Sequence, residues 1–290
     1  MIITKLIGGL GNQLFQYAVA RHLAERKQTI LKIDISSFET YKLHKYSLWP
    51  FNIQENFASF EEVASLKKRK HGIIDRTIMR ILQRQSHPLT YVREKSFHFD
   101  PEILNLPSGT YLEGYWQSEK YFKNIEEIIR WEFTVKTMQT GRDRALAREI
   151  ESCESVSVHI RRRDYVSDPN TNQVHGVCDI NYYYCCAECL RGLVKTPLFY
   201  VFSDDPEWVY KNFTMPGPTT IIDHNGAEKC YEDLRLMSLC KHHIIANSTF
   251  SWWGAWLSTN QHKIVFAPKK WFNTNDRDTK DLIPDGWFRI

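Results

Sequence analysis

The sequence predicts an α/β protein of two Rossmann-like halves that face each other across a cleft. Three observations carry this expectation: a β-α-β opening that runs to Asp34, an unbroken alternation of strand and helix signals from Ser155 onward, and a polar stretch between them, Lys136 to Arg144, that reads as a linker. At 290 residues the chain is long enough for two domains of ordinary size, and the boundary is placed near residue 150, giving domains 1–150 and 151–290.

In the opening unit Ile2 to Ile7 is apolar, Gly8 to Gly11 breaks it, and Thr29 to Asp34 resumes extended character. Between them Leu14 with Ala18, and Phe15 with Val19 and Leu23, form adjacent rows at helical spacing. The glycine turn therefore sits at the carboxyl end of the first strand, where open α/β sheets collect ligands. Residues 66–84 suggest a helix with Ile74, Ile78 and Ile81 on one face and Lys67, Lys68, Arg69, Lys70, Arg76, Arg80 and Arg84 on the rest. Such a helix suits peripheral contact with an anionic membrane or a solvated surface docked by its isoleucines. A strand over Thr110 to Trp116 and an amphipathic helix over Glu119 to Phe133, with Phe122, Ile125 and Ile129 inward, follow.

From Ser155 the expected order is strand Val156 to Ile160, helix from Asn181, strand Leu198 to Phe202, helix from Pro206, strand Thr219 to Ile222 and helix Glu228 to Lys241. Strand His243 to Ala246, helix Ser251 to Leu257 and strand Ile264 to Ala267 complete it. This alternation predicts a parallel, doubly wound sheet. Asp205 before Pro206 has the form of a helix start. The tail after Trp271 gives no clear pattern.

Composition narrows the class. Apolar residues at 42%, aromatics at 13% and charged residues at 25% are those of a globular chain, and the aromatics suit a thick core or a sugar-stacking surface. A net charge of +4 is too mild for a nucleic-acid binder and compatible with an anionic small molecule. The seven cysteines, Cys153, Cys178, Cys185, Cys186, Cys189, Cys230 and Cys240, form neither a disulfide framework nor a complete zinc set, which points to reduced thiols in a cytosol. Lys5 and the glycines interrupt the apolar amino terminus, and no apolar run reaches about 18 residues, so neither secretion nor a membrane span is expected.

The densest polar cluster is His159, Arg161, Arg162, Arg163 and Asp164, at the end of an apolar strand. Consecutive strand residues alternate in direction, so at least one arginine should project into the cleft mouth. A guanidinium there binds diphosphate by paired charge-assisted hydrogen bonds and stabilises the negative charge that a leaving nucleotide gains. A basic strand end paired with Asp164 and nearby acids is the structural alternative. Gly8, Gly9, Gly11, Asn12 and Gln13 allow close backbone approach to a ligand, or a tight turn with Asn12 capping the helix; neither a P-loop nor a complete dinucleotide fingerprint is present. In the run Asn247 to Gly254, Ser248, Thr249, Phe250 and Ser251 lie where a helix amino terminus binds anions, while Trp252 and Trp253 read as core. Asp233 is either an acceptor for the N1 and N2 hydrogens of guanine or an exposed helix acid.

Three of these segments carry a family resemblance. HIRRRD resembles the HxRRxD motif of α-1,2-, α-1,6- and protein O-fucosyltransferases, GLGNQLFQYA resembles the amino-terminal motif of the α-1,2 family (glycosyltransferase family 11, bacterial type), and NSTFSWWGAWL resembles that family's third motif. YLEGYWQSEKYF and FSDD also look like the family, and the likeness runs to about Pro268.

The resemblance implies a GT-B architecture, an acceptor-side first domain, a GDP-fucose-binding second domain, an inverting mechanism and no metal or other cofactor. Arg161 would hold the β-phosphate as the main catalytic cation, with His159 and Asn12 as the other catalytic candidates. His159 would contact guanosine, Asp233 the guanine edge, and the Ser248, Thr249, Phe250, Ser251 turn the phosphate. Arg162 and Asp164 would support that loop, and Asn12, with Gly9, Gly11 and Gln13, would face fucose or acceptor. The base for the acceptor hydroxyl stays open among His175, Asp179, Glu113 and Glu119. The expected reaction is fucose transfer from GDP-fucose to the 2-hydroxyl of a galactose-terminated glycan, in bacterial surface-glycan assembly. The expected place is the cytoplasm or the inner membrane face, with residues 66–84 as the contact. The alternatives are another GDP-sugar or linkage, and a non-catalytic nucleotide-sugar or glycan-binding module.

Overall fold

The computed structural model describes residues 1–67, 90–274 and 277–290. The chain divides into two compact units, one made of Met1–Trp49 and Ile53–Glu132, the other of Pro50–Asn52 and Phe133–Ile290.

In the first unit strands β1 (Ile2–Lys5), β2 (Leu31–Asp34), β3 (Tyr91–Arg93) and β4 (Thr110–Glu113) form a parallel sheet in the order β2-β1-β4-β3. The helix Leu10–Arg26 joins β1 to β2. From Leu10 to Ala24 every residue except Asn12 is buried, which is why its sequence shows two apolar rows rather than one stripe. Its buried polar side chains need partners. Gln16 Oε1 accepts from the Ile7 amide at 3.0 Å, and the His22 Nδ1 lies 2.6 Å from the Tyr121 carbonyl. The Tyr17 hydroxyl donates to Glu132 at 2.6 Å and Arg21 Nε donates to the same carboxylate at 2.8 Å. Burial, and then Glu132, hold the Tyr17 phenol protonated far above its usual range.

The expected helix over Glu119 to Phe133 is instead two short 3-10 turns, Glu119–Tyr121 and Lys123–Ile125, followed by a helix over Glu126–Glu132. Ser118 caps the first turn by accepting from the Lys120 amide, and Phe122 leaves helical space at φ −139°. Its ring is fully buried, 6.0 Å from that of Phe15, so core packing overrides the helical pattern. Of the basic segment 66–84 only Leu66 and Lys67 are described, at the end of the helix Phe60–Lys67; the remainder, and the membrane contact expected of it, lies outside the described residues.

The second unit holds β5 (Ser155–Ile160), β6 (Leu198–Ser203), β7 (Thr219–Ile222), β8 (His242–Ile244), β9 (Val265–Ala267) and β10 (Phe288–Arg289), all parallel, in the order β10-β9-β8-β5-β6-β7. Alternate residues feed opposite faces. Phe199 and Val201 join Val156, Val158 and Ile160 against Tyr183, Cys186 and Leu190 of the helix Ile180–Leu193. Tyr200 and Phe202 join Ile222 against Leu146 and Ile150 of the helix Gly141–Ser152, and against Leu236 and Met237 of the helix Cys230–Leu239. Helices on both faces make the sheet doubly wound, as expected.

The division of the chain falls after Glu132 rather than near residue 150. The reason is the helix Gly141–Ser152: Leu146, Ala147 and Ile150 are core residues of the second unit, so the presumed linker Lys136 to Arg144 already contains the start of one of its helices. Asp205 caps the helix Pro206–Asn212 by accepting from the Trp208 amide at 3.2 Å. Trp252 and Trp253 are fully buried. Two short helices, Arg163–Ser167 and Pro169–His175, follow β5 without a sequence signal, and β10 places the tail on the sheet edge beside β9. Among the described residues no helix is long and apolar enough to cross a membrane.

The pair Arg21 and Glu132 has side-chain exposures of only 9% and 3%. Glu132→Ala leaves Arg21 to Glu25 and the Tyr17 hydroxyl without this acceptor, and is expected to cost about 1–3 kcal/mol in denaturant unfolding of the first unit. An unchanged midpoint would show that water reaches Arg21.

Candidate functional site

The strand order selects the edge at which a ligand can bind. In the second unit the chain lays β5, β6 and β7 outward in one direction, then returns to place β8, β9 and β10 on the other side of β5. The order reverses between β5 and β8, and the crevice outside the carboxyl ends of two such strands is where open α/β sheets bind ligands. The residues that emerge there are Arg161 to Asp164 after β5 and Ile245 to Thr249 after β8, with Val158 paired to Ile244 just beneath. Two motifs widely separated in sequence thus become neighbours.

Arg161 Nη1 lies 2.7 Å from Asp204 Oδ2, with its guanidinium 5.1 Å from the centre of the Tyr165 ring. Asp204 also accepts from the Arg162 amide at 2.8 Å, so one carboxylate at the end of β6 fixes both the side chain of Arg161 and the backbone that follows. Arg162 turns the other way: its guanidinium stacks on Trp208 at 3.6 Å and Nε lies 3.4 Å from Asp205 Oδ2. Arg163 is exposed, at the start of the helix Arg163–Ser167, which also carries Asp164 in its backbone. His159 sits inside β5 at 4% exposure, 5.5 Å from the Phe250 ring. Burial, and then the charge of Arg161, pull its imidazole down to about 3, so the ring is neutral. Its Nδ1 is buried without a protein partner among the described residues.

After β8, Asn247 is a clamp: its Nδ2 donates to the His175 carbonyl at 2.8 Å and to the Trp271 carbonyl at 3.2 Å, and its Oδ1 accepts from Cys178 Sγ. Ser248 caps the helix Thr249–Leu257 by accepting from the Phe250 amide at 3.3 Å. Thr249 and Phe250 are half-buried at its amino terminus. Ser251 is fully buried and its hydroxyl is turned back onto the carbonyls of Ser248 and Ala246, so it braces the turn from beneath.

Asp233, in the first turn of the helix Cys230–Leu239, accepts from Asn225 Nδ2 at 2.8 Å. The same Nδ2 donates to Asp143 at 3.0 Å, and Asp143 also bonds His224 Nε2 at 2.9 Å. Burial pushes the Asp233 carboxyl up to about 7, against the lowering effect of the Asn225 bond. Asp233 is therefore not the exposed helix acid that composition favours.

In the first unit the order reverses between β1 and β4, and their carboxyl ends carry Gly8 to Asn12 and Gly114 to Ser118. Asn12 Oδ1 accepts from Gln117 Nε2 at 2.9 Å. The helix cap is Gly9, without a side-chain bond, so Asn12 does not cap the helix but ties the two turns together. Gly8 has φ +83°, which requires glycine, and a Cβ there would come within 2.7 Å of Asn12 Nδ2 and displace that side chain. Gln13 is fully buried; Nε2 donates to the carbonyls of Gly8 and Lys45, and Oε1 accepts from the Ser47 amide. It holds the loop against the turn and has no surface to offer a ligand.

Of the candidate bases, Asp179 caps the helix Ile180–Leu193 and Glu113 is bound by Lys5 and Tyr91. Glu119 accepts from Lys123, and the His175 ring stacks on Tyr165 at 4.9 Å. Sequence reasoning passed over Asp204, Asp143, Asn225 and Gln117. Asp204 and Gln117 lie in the segments FSDD and YLEGYWQSEKYF, whose likeness to the family was a signal for them; Asp143 and Asn225 had none.

The Asp233 carboxyl carries a stability signature. Its unfolded counterpart loses a proton near 3.8, whereas the folded one holds it to about 7, so between those values the folded state binds more protons and stability falls as pH rises. Asp233→Asn should remove this slope: the variant gains on the parent in thermal melts at about pH 8 and matches it at about pH 4. Parallel melting curves at both would mean that the carboxyl is ionised throughout.

The family model for glycosyl transferase family 11 matches residues 1–290. The chain is 35% identical to an α-1,2-colitosyltransferase of Escherichia coli, over 100% of this chain and 99% of that one. It is 31% identical to the O-antigen biosynthesis glycosyltransferase WbnK of Escherichia coli over 98% and 99%, and 30% identical to the galactoside α-(1,2)-fucosyltransferase 1 of Rattus norvegicus over 87% of this chain and 62% of that one. A model that matches from end to end, on the turns that the two strand reversals bring to the sheet edges, makes this chain a member of glycosyl transferase family 11.

Proposed function

We propose that the chain moves L-fucose from GDP-fucose to the 2-hydroxyl of a terminal galactoside, with inversion, in the assembly of a bacterial surface glycan. The observation that carries the reading is Arg161, held by Asp204 at the strand reversal of the second unit beside the amino terminus of the helix Thr249–Leu257.

A leaving GDP gains negative charge as the glycosidic bond breaks. A guanidinium oriented beforehand, together with backbone amides at a helix amino terminus, stabilises that charge more in the transition state than in the ground state. Asp204 directs Arg161, and Arg162, stacked on Trp208, stiffens the loop. With the positive charge supplied by Arg161, transfer is expected to persist in EDTA. His159, neutral and packed against Phe250, is suited to lie beneath the guanosine. Asp233 accepts from the guanine N1 and N2 hydrogens with both oxygens only when ionised, so donor affinity should rise with pH through about 7. Asn12, half-buried beside Gly9 and Gly11, is the residue of the first turn suited to a sugar hydroxyl.

A second donor is favoured by one finding, the 35% identity to a colitosyltransferase. Colitose is fucose without its 3-hydroxyl. A site that hydrogen-bonds that hydroxyl rejects the deoxy sugar strongly, whereas one that merely has room for it discriminates weakly.

The test is transfer in EDTA from GDP-fucose, GDP-colitose or GDP-mannose to lactose and N-acetyllactosamine, with linkage analysis. An α-1,2-fucosylated trisaccharide is expected. Product from GDP-colitose alone would replace the donor, and GDP binding without transfer would favour a binding module. Arg161→Ala should lower kcat by about 10²–10³-fold; activity near that of the parent would remove Arg161 from the mechanism.

A further inference from the structure

The face of the first sheet that turns away from the helix Leu10–Arg26 is unusually polar. Register places Asp34, Lys5, Glu113 and Arg93 side by side at the carboxyl ends of β2, β1, β4 and β3, a row of alternating charge across the whole sheet. Lys5 Nζ lies 3.1 Å from Glu113 and Arg93 lies 3.8 Å from it, and the Tyr91 hydroxyl donates to its other oxygen at 2.6 Å. Tyr111 donates to Asp34 at 2.6 Å, and Lys67 lies 3.8 Å from Asp34 and 4.4 Å over the Tyr111 ring. Against the effect of burial, hydrogen bonds from Tyr111 and Ser36 hold Asp34 below the usual carboxylate range, and those from Tyr91 and Lys5 do the same for Glu113.

Above the β2 end of this row is a cavity of about 430 Å³, lined by Lys5, Lys67, Ser36, Ser37, Thr40, Tyr41 and Ile7. Its size lies within the range of about 300–1,000 Å³ typical of small-ligand sites. Ile7 directly precedes the Gly8 turn, so the cavity adjoins the strand reversal of this unit. Among the described residues each ammonium in its wall lies near a carboxylate, Lys5 3.1 Å from Glu113 and Lys67 3.8 Å from Asp34, which weakens its pull on an anion. It offers three aliphatic hydroxyls, one phenol ring and one alkyl chain. That set matches a neutral ring with a hydroxylated edge and an apolar face.

We infer that this cavity is a subsite for a neutral pyranose ring of the acceptor glycan, recognised by Ser36, Ser37 and Thr40 through its hydroxyls and by Tyr41 through its face. The inference rests on the proposed reaction only in calling that glycan the acceptor. Thr40 is exposed, so Thr40→Trp should fill the cavity without disturbing the core, and Thr40→Ser, which keeps the hydroxyl, should retain a saturable lactose response.

The test titrates the ¹⁵N-labelled full-length chain with lactose and, separately, with inorganic phosphate. Lactose is expected to shift the amides of Ser36, Ser37, Thr40 and Tyr41 saturably, phosphate to leave them, and Thr40→Trp to abolish the lactose response. In transfer assays the same variant should raise the acceptor KM by at least about tenfold, which is about 1.4 kcal/mol, with GDP affinity unchanged. Shifts with phosphate but not lactose, or with neither, would overturn the subsite, as would an unchanged acceptor KM in Thr40→Trp. Saturable lactose shifts from a chain that transfers no sugar would leave the subsite standing and remove the proposed reaction alone.

Discussion

Parallel strands cannot be joined by tight turns, so every connection crosses a face of the sheet, and the crossovers share one hand. Within that constraint a chain can place strands on both sides of its first one only by going back, and going back opens a crevice. Both units obey it. In the second, the return from β7 to β8 brings Asn247 to Thr249 beside Arg161; in the first, β4 lies against β1 and brings Gln117 to Asn12. Neither neighbourhood depends on the loops being close in sequence.

Around those crevices, much of the polar side-chain chemistry is spent on holding loops. Gln13 uses both ends of its amide on backbone, Asn247 joins two backbone segments and the Cys178 thiol, and Asp204 binds an arginine and an amide at once. Buried polar groups are costly unless satisfied, so such residues specify one loop geometry rather than merely adding stability. Arg161 and Arg162 show the division of labour: alternation along the extended chain sends one toward Tyr165 and the other onto Trp208.

The fold was legible wherever periodicity stood alone. Strands β5 to β9 of the second unit fall within a few residues of their expected bounds because apolar runs between turn residues have few other readings, whereas β10 was not expected. It was not legible where tertiary contacts overrule local pattern: Phe122, buried against Phe15, breaks a sequence that reads as a continuous helix, and Leu146 and Ile150 pull an apparent linker into the core. The candidate site was legible as residue types and, through family likeness, as motifs. Two of its supports were not. Asp143 and Asn225 become significant only when folding brings them to Asp233. No spacing in a single sequence records such encounters.

The helix Leu10–Arg26 bears on motion. A rod enclosed on nearly every side cannot tilt or slide without opening the core around it, so its amides should exchange with solvent only through unfolding of the unit. The turn from Gly8 to Asn12, welded to its first coil, inherits that stillness. The segment Ser36 to Thr40, whose short 3-10 helix has no buried residue, is not held in this way, so the glycine turn is a fixed wall beside a looser one.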